Sequence, residues 1–480
     1  RAVRYGIKLG IEGAFMYKLV SVVAENMKEF YPYVLDKVEL ISRLVKQEEE
    51  SFHRTLTNGE NLLNEQLKAH EAEKVLPGEV VFRLYDTYGF PKELTAEIAE
   101  DAGYQVDMEG FDREMAAQVK RAKDARGNEQ SMHGQSADLM DFEEESEFTG
   151  YTDRVSTGKV IGLFKDGVRV KELTDSGDVI LSRTCFYAES GGQCADTGIL
   201  QGQGFKADVT DVKKAPHRQP LHHIEIKNGT LKEGDEVTGA YNYENRQRTR
   251  ANHSSLHLLQ SALRTVLGDH VAQAGSYNCP EYGRFDFNHY EKVSDEQLKE
   301  IERLVNTMIQ ADVDVTTEVL PIEEAKKTGA IALFDEKYGD SVRVVSMGEY
   351  SKEFCGGTHV SNTGNLGVFK IISEESIGSG VRRITSITKM DAYNAFKTEE
   401  DYLLKTASLM KLKNYQGLQE KIAGLLEENA ALKKEIAESK QKAMAANAGE
   451  QASKAEAING LNVLILSANG MDTGAMKGYA

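Results

Sequence analysis

Two pairs of residues are spaced so that together they could bind a metal ion. His253 and His257 are four residues apart in a segment with helical periodicity, so at about 100° per residue both rings lie on one face. Cys355 and His359 flank two glycines in CGGTH, a sequence able to turn tightly around an ion. Three imidazoles and one thiolate suit tetrahedral zinc, so the sequence predicts one Zn²⁺ per chain.

Either pair alone is a weak signal, because an HxxxH pair is more often two histidines at the edge of a core. Here the histidines are predicted at the edge of an apolar stripe formed by Leu256, Leu259, Leu263 and Leu267. Four protein ligands would leave no open position in a tetrahedral site. Two interpretations therefore stay open, a catalytic zinc ion that polarises the substrate or activates water, and one that anchors the substrate or holds Cys355 in place. A metalloprotease is not favoured, because Ser254 stands where HExxH has its glutamate base.

The predicted metal site belongs to a multidomain α+β protein, since 480 residues exceed what one hydrophobic core supports. Residues 1–145 have helical periodicity and end in a polar linker. Residues 146–245 contain short β-rich runs separated by turn formers, which predicts a small antiparallel β-barrel. Residues 246–395 mix helices and strands and form the predicted zinc-binding core. Residues 396–457 and 458–480 are predicted to be a long helix and the start of an incomplete α/β unit.

Within residues 396–457 the apolar positions are spaced as in a coiled coil. Leucines and isoleucines recur at steps of four and three, with one position skipped, at Leu418, Ile422, Leu425, Leu432 and Ile436. The spacing predicts a short coiled coil. The alternative is a single amphipathic helix packed on its own domain.

The composition indicates a reducing, aqueous compartment, and we expect a cytoplasmic protein. Four cysteines are too sparse for a disulfide framework, and no apolar run approaches the length of about 18 residues that a membrane helix needs. The first ten residues, RAVRYGIKLG, lack both Met and an apolar signal region, so the N-terminus looks cut rather than processed. A net charge of -18 argues against a uniformly phosphate-binding surface but leaves room for local basic patches.

Seven segments resemble landmarks of alanyl-tRNA synthetases and follow one another in the same order. They are RAVRYGIKLG, RLYDTYGFPKELT, FYAESGGQCADTG, NHSSLHLL, RFDF, CGGTHV and GSGVRRI. The resemblance covers essentially the whole chain. It implies the end of the tRNA-recognition region, an editing domain with the HxxxH and CxxxH pairs, a coiled coil and the start of the C-terminal domain.

The resemblance implies the C-terminal part of an alanine-tRNA ligase, with tRNA(Ala) as partner, that hydrolyses mischarged Ser-tRNA(Ala) and, as a second substrate to be tested, Gly-tRNA(Ala). In the family a preceding class II domain attaches alanine using ATP and Mg²⁺, and we expect that ligase site to be absent from this chain. Gln273 matches an editing-site glutamine, and Cys355 is implied as both catalytic and metal-binding. The C-terminal region implies a homodimer. The alternative is a structural zinc module in a tRNA-binding protein without hydrolytic activity.

Basic residues and one glycine turn are candidates for contacts with tRNA. The arginines could meet phosphates, with solvated charge as the alternative, and they are Arg246, Arg248, Arg250, Arg382 and Arg383. Gln193 ends the segment SGGQ, which is similar to the glycine-glycine-glutamine loop with which peptide release factors attack a tRNA ester. Two glycines before a polar residue commonly form a β-turn, so we expect this segment to place the tRNA end rather than to catalyse.

Overall fold

The computed structural model shows a mixed α+β protein, as the sequence predicts. The residues that it describes are 2–125, 136–332, 339–378, 380–452 and 455–463. They divide into two compact units: unit 1 is Arg1–Tyr243, Asp286–Val293 and Glu375–Arg383, and unit 2 is Glu244–Phe285, Ser294–Glu374 and Ile384–Ala480. Within the described ranges, no helix has both the length and the apolar character that a bilayer crossing requires.

The first part of unit 1 is helical. Its helices are α1 Ala2–Lys8, α2 Val20–Met27, α3 Val38–Ala69, α4 Gly78–Asp86, α5 Lys92–Asp101, α6 Met108–Ala125 and α7 Ala137–Met140. Two short parallel strands, β1 Val75–Leu76 and β2 Gln105–Val106, pair between them. On α3, Leu56 and Leu63 are buried in the helical core, and a Cβ at Gly59 would overlap the ring of Phe90. A small residue at position 59 therefore lets the aromatic ring pack directly on the helix backbone.

The rest of unit 1 contains a closed antiparallel β-barrel, which confirms the prediction. Its strands and the short strands beside them are β3 Glu147–Phe148, β4 Val155–Lys165, β5 Val168–Val170, β6 Glu172–Leu173, β7 Ser176–Leu181, β8 Arg183–Thr184, β9 Gly198–Gly202, β10 Phe205–Lys214, β11 Pro220–Asn228, β12 Leu231–Lys232 and β13 Glu236–Tyr241. The barrel order is β13-β9-β10-β11-β7-β4, and pairing of β13 with β4 closes it. Alternate residues of β4 point inward, as the period of two requires.

A buried histidine is hydrogen-bonded inside this β-rich part of unit 1. The side chain of His222 on β11 is fully buried, and its Nδ1 lies 2.9 Å from the carbonyl oxygen of Val179. A carbonyl only accepts, so Nδ1 carries the proton, and Nε2 accepts from the Thr184 hydroxyl at 2.8 Å. Thr184 Oγ1 in turn accepts from the backbone N–H of Phe186 at 3.2 Å. Burial lowers the pKa of His222 to about 4, so the neutral ring is the folded form near neutral pH.

We predict that acid weakens the barrel through His222. The unfolded chain binds a proton with an ordinary histidine pKa near 6.5, whereas the folded chain does so only near 4. Stability from the neutral ring is therefore fully present above about pH 6.5 and is lost as the pH falls towards 4, by up to about 3 kcal/mol. Urea denaturation at several pH values, followed by pulse-labelling hydrogen exchange of β7 and β11, measures this.

The variant His222→Gln should have a smaller loss of stability between pH 7 and pH 4.5 than the wild-type chain. The control is His217→Gln, because the His217 ring is exposed. Equal pH dependence in wild type and His222→Gln would contradict the prediction.

From Tyr243 onward the chain alternates helices and small sheets. The helices are α8 Tyr243–Leu267, α9 Asp295–Gln310, α10 Ile322–Ala325, α11 Lys389–Leu409 and α12 Leu418–Ala452. The strands are β14 Gln273–Asn278, β15 Gly283–Asn288, β16 Val315–Pro321, β17 Ser341–Met347, β18 Ser351–Phe354, β19 Phe369–Gly378, β20 Val381–Thr388, β21 Glu456–Ile458 and β22 Leu461–Val463. Strands β16, β17 and β18 form an antiparallel sheet, and β14, β15, β20 and β19 form another in that order.

The long helix α12 carries the apolar positions of the predicted coiled coil. Leu418 is buried, whereas Ile422, Leu425, Leu432 and Ile436 are exposed in this single chain. The helix therefore agrees with the predicted element, while the coiled coil itself stays a prediction. Residues 126–135, in the predicted linker, and residues 464–480, in the predicted C-terminal unit, lie outside the described residues.

Candidate metal centre

Helix α8 places His253 and His257 side by side. Their rings are stacked, with centroids 5.5 Å apart and 24° between the planes. The sequence predicts histidines at the edge of the core, but every residue from 251 to 260 is buried, and each histidine is 6% exposed. The difference arises because α8 is enclosed around its whole circumference and not only along its leucine stripe. The buried imidazoles must therefore find polar partners within the protein.

Those partners come from the loop that follows β18. Cys355 and His359 lie at the two ends of CGGTH, and the backbone N–H of Cys355 donates to the carbonyl oxygen of Arg343 on β17 at 3.0 Å. The Arg343 guanidinium donates back to the carbonyl oxygens of Cys355, at 3.1 Å, and of Gly357, at 2.7 Å. Neither Gly356 nor Gly357 has a positive φ. The loop is therefore held by an arginine clamp rather than by left-handed glycines.

The four side chains predicted as ligands converge. Their candidate ligand atoms all lie within 4.8 Å of one another. Cys355 Sγ is 3.4 Å from His253 Nε2 and 3.2 Å from His359 Nε2. In a tetrahedral zinc site with bonds of about 2.0–2.3 Å, neighbouring ligand atoms are about 3.5 Å apart. The donor set and its spacing therefore fit one zinc ion.

The electrostatics of the cluster favour deprotonated ligands at two positions. Burial raises the pKa of the Cys355 thiol, but the charges of His253 and His359 and the hydrogen bonds of His253 and His257 outweigh it and hold the pKa well below the ordinary value. Burial lowers the pKa of His359 to about 3, so its ring is neutral. Thiolate and neutral imidazole are the forms that bind metal ions.

Two of the histidines have a polar atom of another side chain close to their second ring nitrogen. His257 Nδ1 is 2.9 Å from a carboxylate oxygen of Glu353, which leaves its Nε2 for the cluster. His359 Nδ1 is 3.1 Å from Ser254 Oγ, and the same oxygen accepts from the backbone N–H of Val360 at 3.2 Å. Each ring orientation is thus set from outside the candidate ligand set.

Comparison with known proteins identifies the family of this chain. The family model described as tRNA synthetases class II (A) matches residues 1–245, and that of the threonyl and alanyl tRNA synthetase second additional domain matches residues 342–385, which include Cys355 and His359. The alanine-tRNA ligases of Bacillus anthracis and Bacillus cereus are 44% and 45% identical to the chain over 485 residues, and that of Streptococcus mutans is 42% identical over 487 residues. The chain belongs to the alanine-tRNA ligase family.

The matched region covers a larger share of this chain than of its relatives. They include 99% to 100% of this chain but only 54% to 55% of the relatives, so the chain spans about half the length of the curated alanine-tRNA ligases it matches. The resemblance seen in the sequence is thereby confirmed at the level of the family.

The two glutamines singled out from the sequence have different environments. Gln273 begins β14, is half-buried, and its amide nitrogen donates to Ser276 Oγ at 3.0 Å. Gln193 is buried, at 1% exposed, and exchanges backbone hydrogen bonds with Ser190 at 3.0 and 3.1 Å. Between them Gly191 and Gly192 have φ of 57° and 76°, which matches the β-turn expected for SGGQ. The tip of this turn at Gly191 is open, whereas the Gln193 side chain faces inward.

The arginines predicted to meet phosphates are mostly engaged inside the protein. Arg246 is fully buried, so a phosphate could reach its guanidinium only after local opening. Arg248 forms an ion pair with Asp391 at 3.0 Å, and Arg383 forms a bidentate pair with Asp286 at 2.7 and 2.8 Å. Arg250 and Arg382 are half-buried. A basic run in the sequence thus contributes largely to packing in this alanine-tRNA ligase relative.

Sequence reasoning missed the residues around the ligands. Glu353 had a usable signal, since it lies two residues before Cys355 and a strand has a period of two. Ser254 had a weaker one, as a polar residue beside His253 on a buried helix. No sequence signal indicated Arg343, because its separation from Cys355 along the chain does not predict that the two residues are in contact.

We predict that elemental analysis of protein purified without chelators finds one zinc per chain. The four donors form a closed set at zinc spacing, so metal should be retained through purification. The double variant His253→Ala/His257→Ala should lose it. Cys279→Ala should keep it, because Cys279 is buried in its own turn, with Sγ 3.6 Å from the Tyr282 carbonyl oxygen. Wild-type protein without zinc would contradict the prediction.

Proposed function

We propose that this chain carries a hydrolytic editing activity that removes serine from Ser-tRNA(Ala), with Gly-tRNA(Ala) as a second substrate. The observation that carries the proposal is the convergent cluster of three histidines and one cysteine, in which His253 and His257 are buried and the other two, half-buried, lie inside the segment that matches the second additional domain. An enclosed, convergent set of ionisable groups is a common mark of a functional site. Membership of the alanine-tRNA ligase family supplies tRNA(Ala) as the partner that fits it.

The chemistry of the amino acids explains why such a site is needed. Alanine differs from serine by one hydroxyl and from glycine by one methyl, and a small synthetic pocket rejects such analogues only modestly. A second site can demand a hydrogen bond from the serine hydroxyl, which alanine cannot supply. Correctly charged Ala-tRNA(Ala) should therefore survive while Ser-tRNA(Ala) is hydrolysed.

His253, His257, Cys355 and His359 would hold the zinc ion. When bound, zinc would supply Lewis-acid polarisation or a fixed orientation for the reacting ester. With four protein ligands the orienting role is favoured, because a closed tetrahedral set has no open position. Cys355 then contributes mainly as the ligand that anchors the CGGTH loop, itself held by Arg343.

Other side chains would bind and orient the substrate. The amide of Gln273 can donate to and accept from the ester or a water molecule, and its present partner Ser276 is a hydroxyl that a ligand can replace. All five arginines stay proposed phosphate contacts, although a phosphate would have to reach the enclosed Arg246 and compete with the carboxylate partners of Arg248 and Arg383. The open glycine tip of the SGGQ turn could receive the tRNA end, with Gln193 stabilising the turn from inside.

The proposal also includes activities of the whole ligase. Attachment of alanine to tRNA(Ala) with ATP and Mg²⁺ is proposed for the whole ligase. The exposed apolar stripe of α12 supports a coiled-coil homodimer through the C-terminal region. A cytoplasmic location, expected from the sparse cysteines, completes the proposal.

We predict that Cys355→Ala abolishes deacylation of Ser-tRNA(Ala) while the chain stays folded. Loss of the thiolate removes the sulfur donor and the anchor of the CGGTH loop, so the rate should fall by about a hundredfold or more. The measurement is release of labelled serine from tRNA(Ala), with circular dichroism to check folding. Ala-tRNA(Ala) serves as the unreactive ester.

The matched control is Cys279→Ala, which should deacylate at close to the wild-type rate. Wild-type hydrolysis by Cys355→Ala at unchanged zinc content would show that the site is wrongly assigned. A wild-type chain that binds tRNA(Ala) and zinc but hydrolyses neither ester would favour the structural zinc module instead.

A further inference from the structure

A buried carboxylate lies behind the candidate metal ligands. Glu353 is 7% exposed, and each of its two oxygens lies close to a polar atom of another side chain. One oxygen, Oε2, lies 2.9 Å from His257 Nδ1, and the other, Oε1, accepts from the Ser351 hydroxyl at 2.9 Å. An enclosed carboxylate is costly unless it is paired and hydrogen-bonded. The position of Glu353 is therefore determined by its partners on both sides.

The strand geometry explains how Glu353 reaches the histidine. Glu353 lies in β18, and Cys355 follows the strand two residues later. Side chains two residues apart in an extended segment point to the same side. The carboxylate and the thiolate are therefore both directed towards the face of α8 that carries His253 and His257.

A carboxylate in this position controls what the histidine can do. An imidazole that offers Nε2 to a metal must carry its proton on Nδ1, and an acceptor beside Nδ1 fixes that tautomer and the ring orientation. Ser254 Oγ occupies the corresponding place beside His359 Nδ1, but as a neutral group at 3.1 Å. A charged acceptor also increases the basicity of the ligand nitrogen more than a neutral one.

We propose that Glu353 is the positioning residue of the metal centre, which orients His257 and thereby sets how tightly the site holds zinc. The proposal rests on the metal site of the proposed function but not on hydrolysis. Ser351 supports it by holding the second carboxylate oxygen. Glu353 touches neither metal nor substrate in this role, and it acts through His257 alone.

The test measures the dissociation constant of zinc by competition with a chromophoric chelator, for wild type and Glu353→Gln. The amide keeps the size of the carboxylate and loses its charge, so we expect zinc to bind about 10- to 100-fold more weakly. The visible spectrum of the Co²⁺-substituted protein should also shift, because the field of the His257 ligand changes. Glu349→Gln is the control, since Glu349 is an exposed acid in the turn of the same β17–β18 hairpin.

The outcomes separate this inference from the proposed hydrolysis. If Glu353→Gln has the same zinc affinity and Co²⁺ spectrum as the wild type, the proposed role of Glu353 is wrong. The proposal of hydrolysis is not affected by that result. Weaker zinc binding in Glu353→Gln, in a chain whose wild type does not deacylate Ser-tRNA(Ala), would support the role of Glu353 and refute hydrolysis. If Glu353→Gln does not fold, Ser351→Ala decides: about threefold weaker zinc binding or more supports the inference, and unchanged binding overturns it.

Discussion

The burial of polar side chains in the middle of α8 is the constraint on which the rest of unit 2 depends. Residues 251 to 260 are all buried, and among them are Asn252, His253, Ser254, Ser255 and His257. A buried polar group without a partner costs about 1–3 kcal/mol, so several such groups on one helix must each be matched. The helix can occupy this place only if the surrounding segments present the right donors and acceptors.

For Asn252 and Ser254 the surrounding segments do so, and these partners fix the position of the helix. Asn252 donates to the carbonyl oxygen of Cys279 at 2.8 Å and accepts from the Thr388 hydroxyl at 2.8 Å. Ser254 contacts His359 and the backbone of Val360 in the CGGTH loop. Polar contacts specify a single arrangement, because each has a required distance and direction, whereas apolar contacts alone tolerate sliding. The precision of the candidate ligand cluster thus follows from the same hydrogen bonds that make the helix tolerable inside the core.

The sequence predicts those parts of the structure that repeat or that carry a short motif. The barrel was predictable because its strands appear in the sequence as short β-rich runs separated by turn-forming residues. The approach of the HxxxH and CxxxH pairs was predictable because three imidazoles and a thiolate have a shared chemistry. The Arg343 clamp was not, because β17 and the loop meet through a fold that no local pattern encodes. The sequence predicts that glycine flexibility shapes the turn in CGGTH. In the structure the loop is instead held by hydrogen bonds from the Arg343 guanidinium.

The arginines are a second example of structure that a local sequence pattern does not predict. A cluster of three arginines before the histidines is typical of a basic surface, yet Arg246 is enclosed and Arg248 pairs with Asp391 at the start of α11. Charge counted along the sequence does not reveal which cations are already neutralised by a carboxylate. With a net charge of -18 and with Arg248 and Arg383 paired, a uniform basic face for RNA is not available from these positions. Under the proposed function, recognition of a tRNA end therefore depends on shape more than on a continuous basic face built from these arginines.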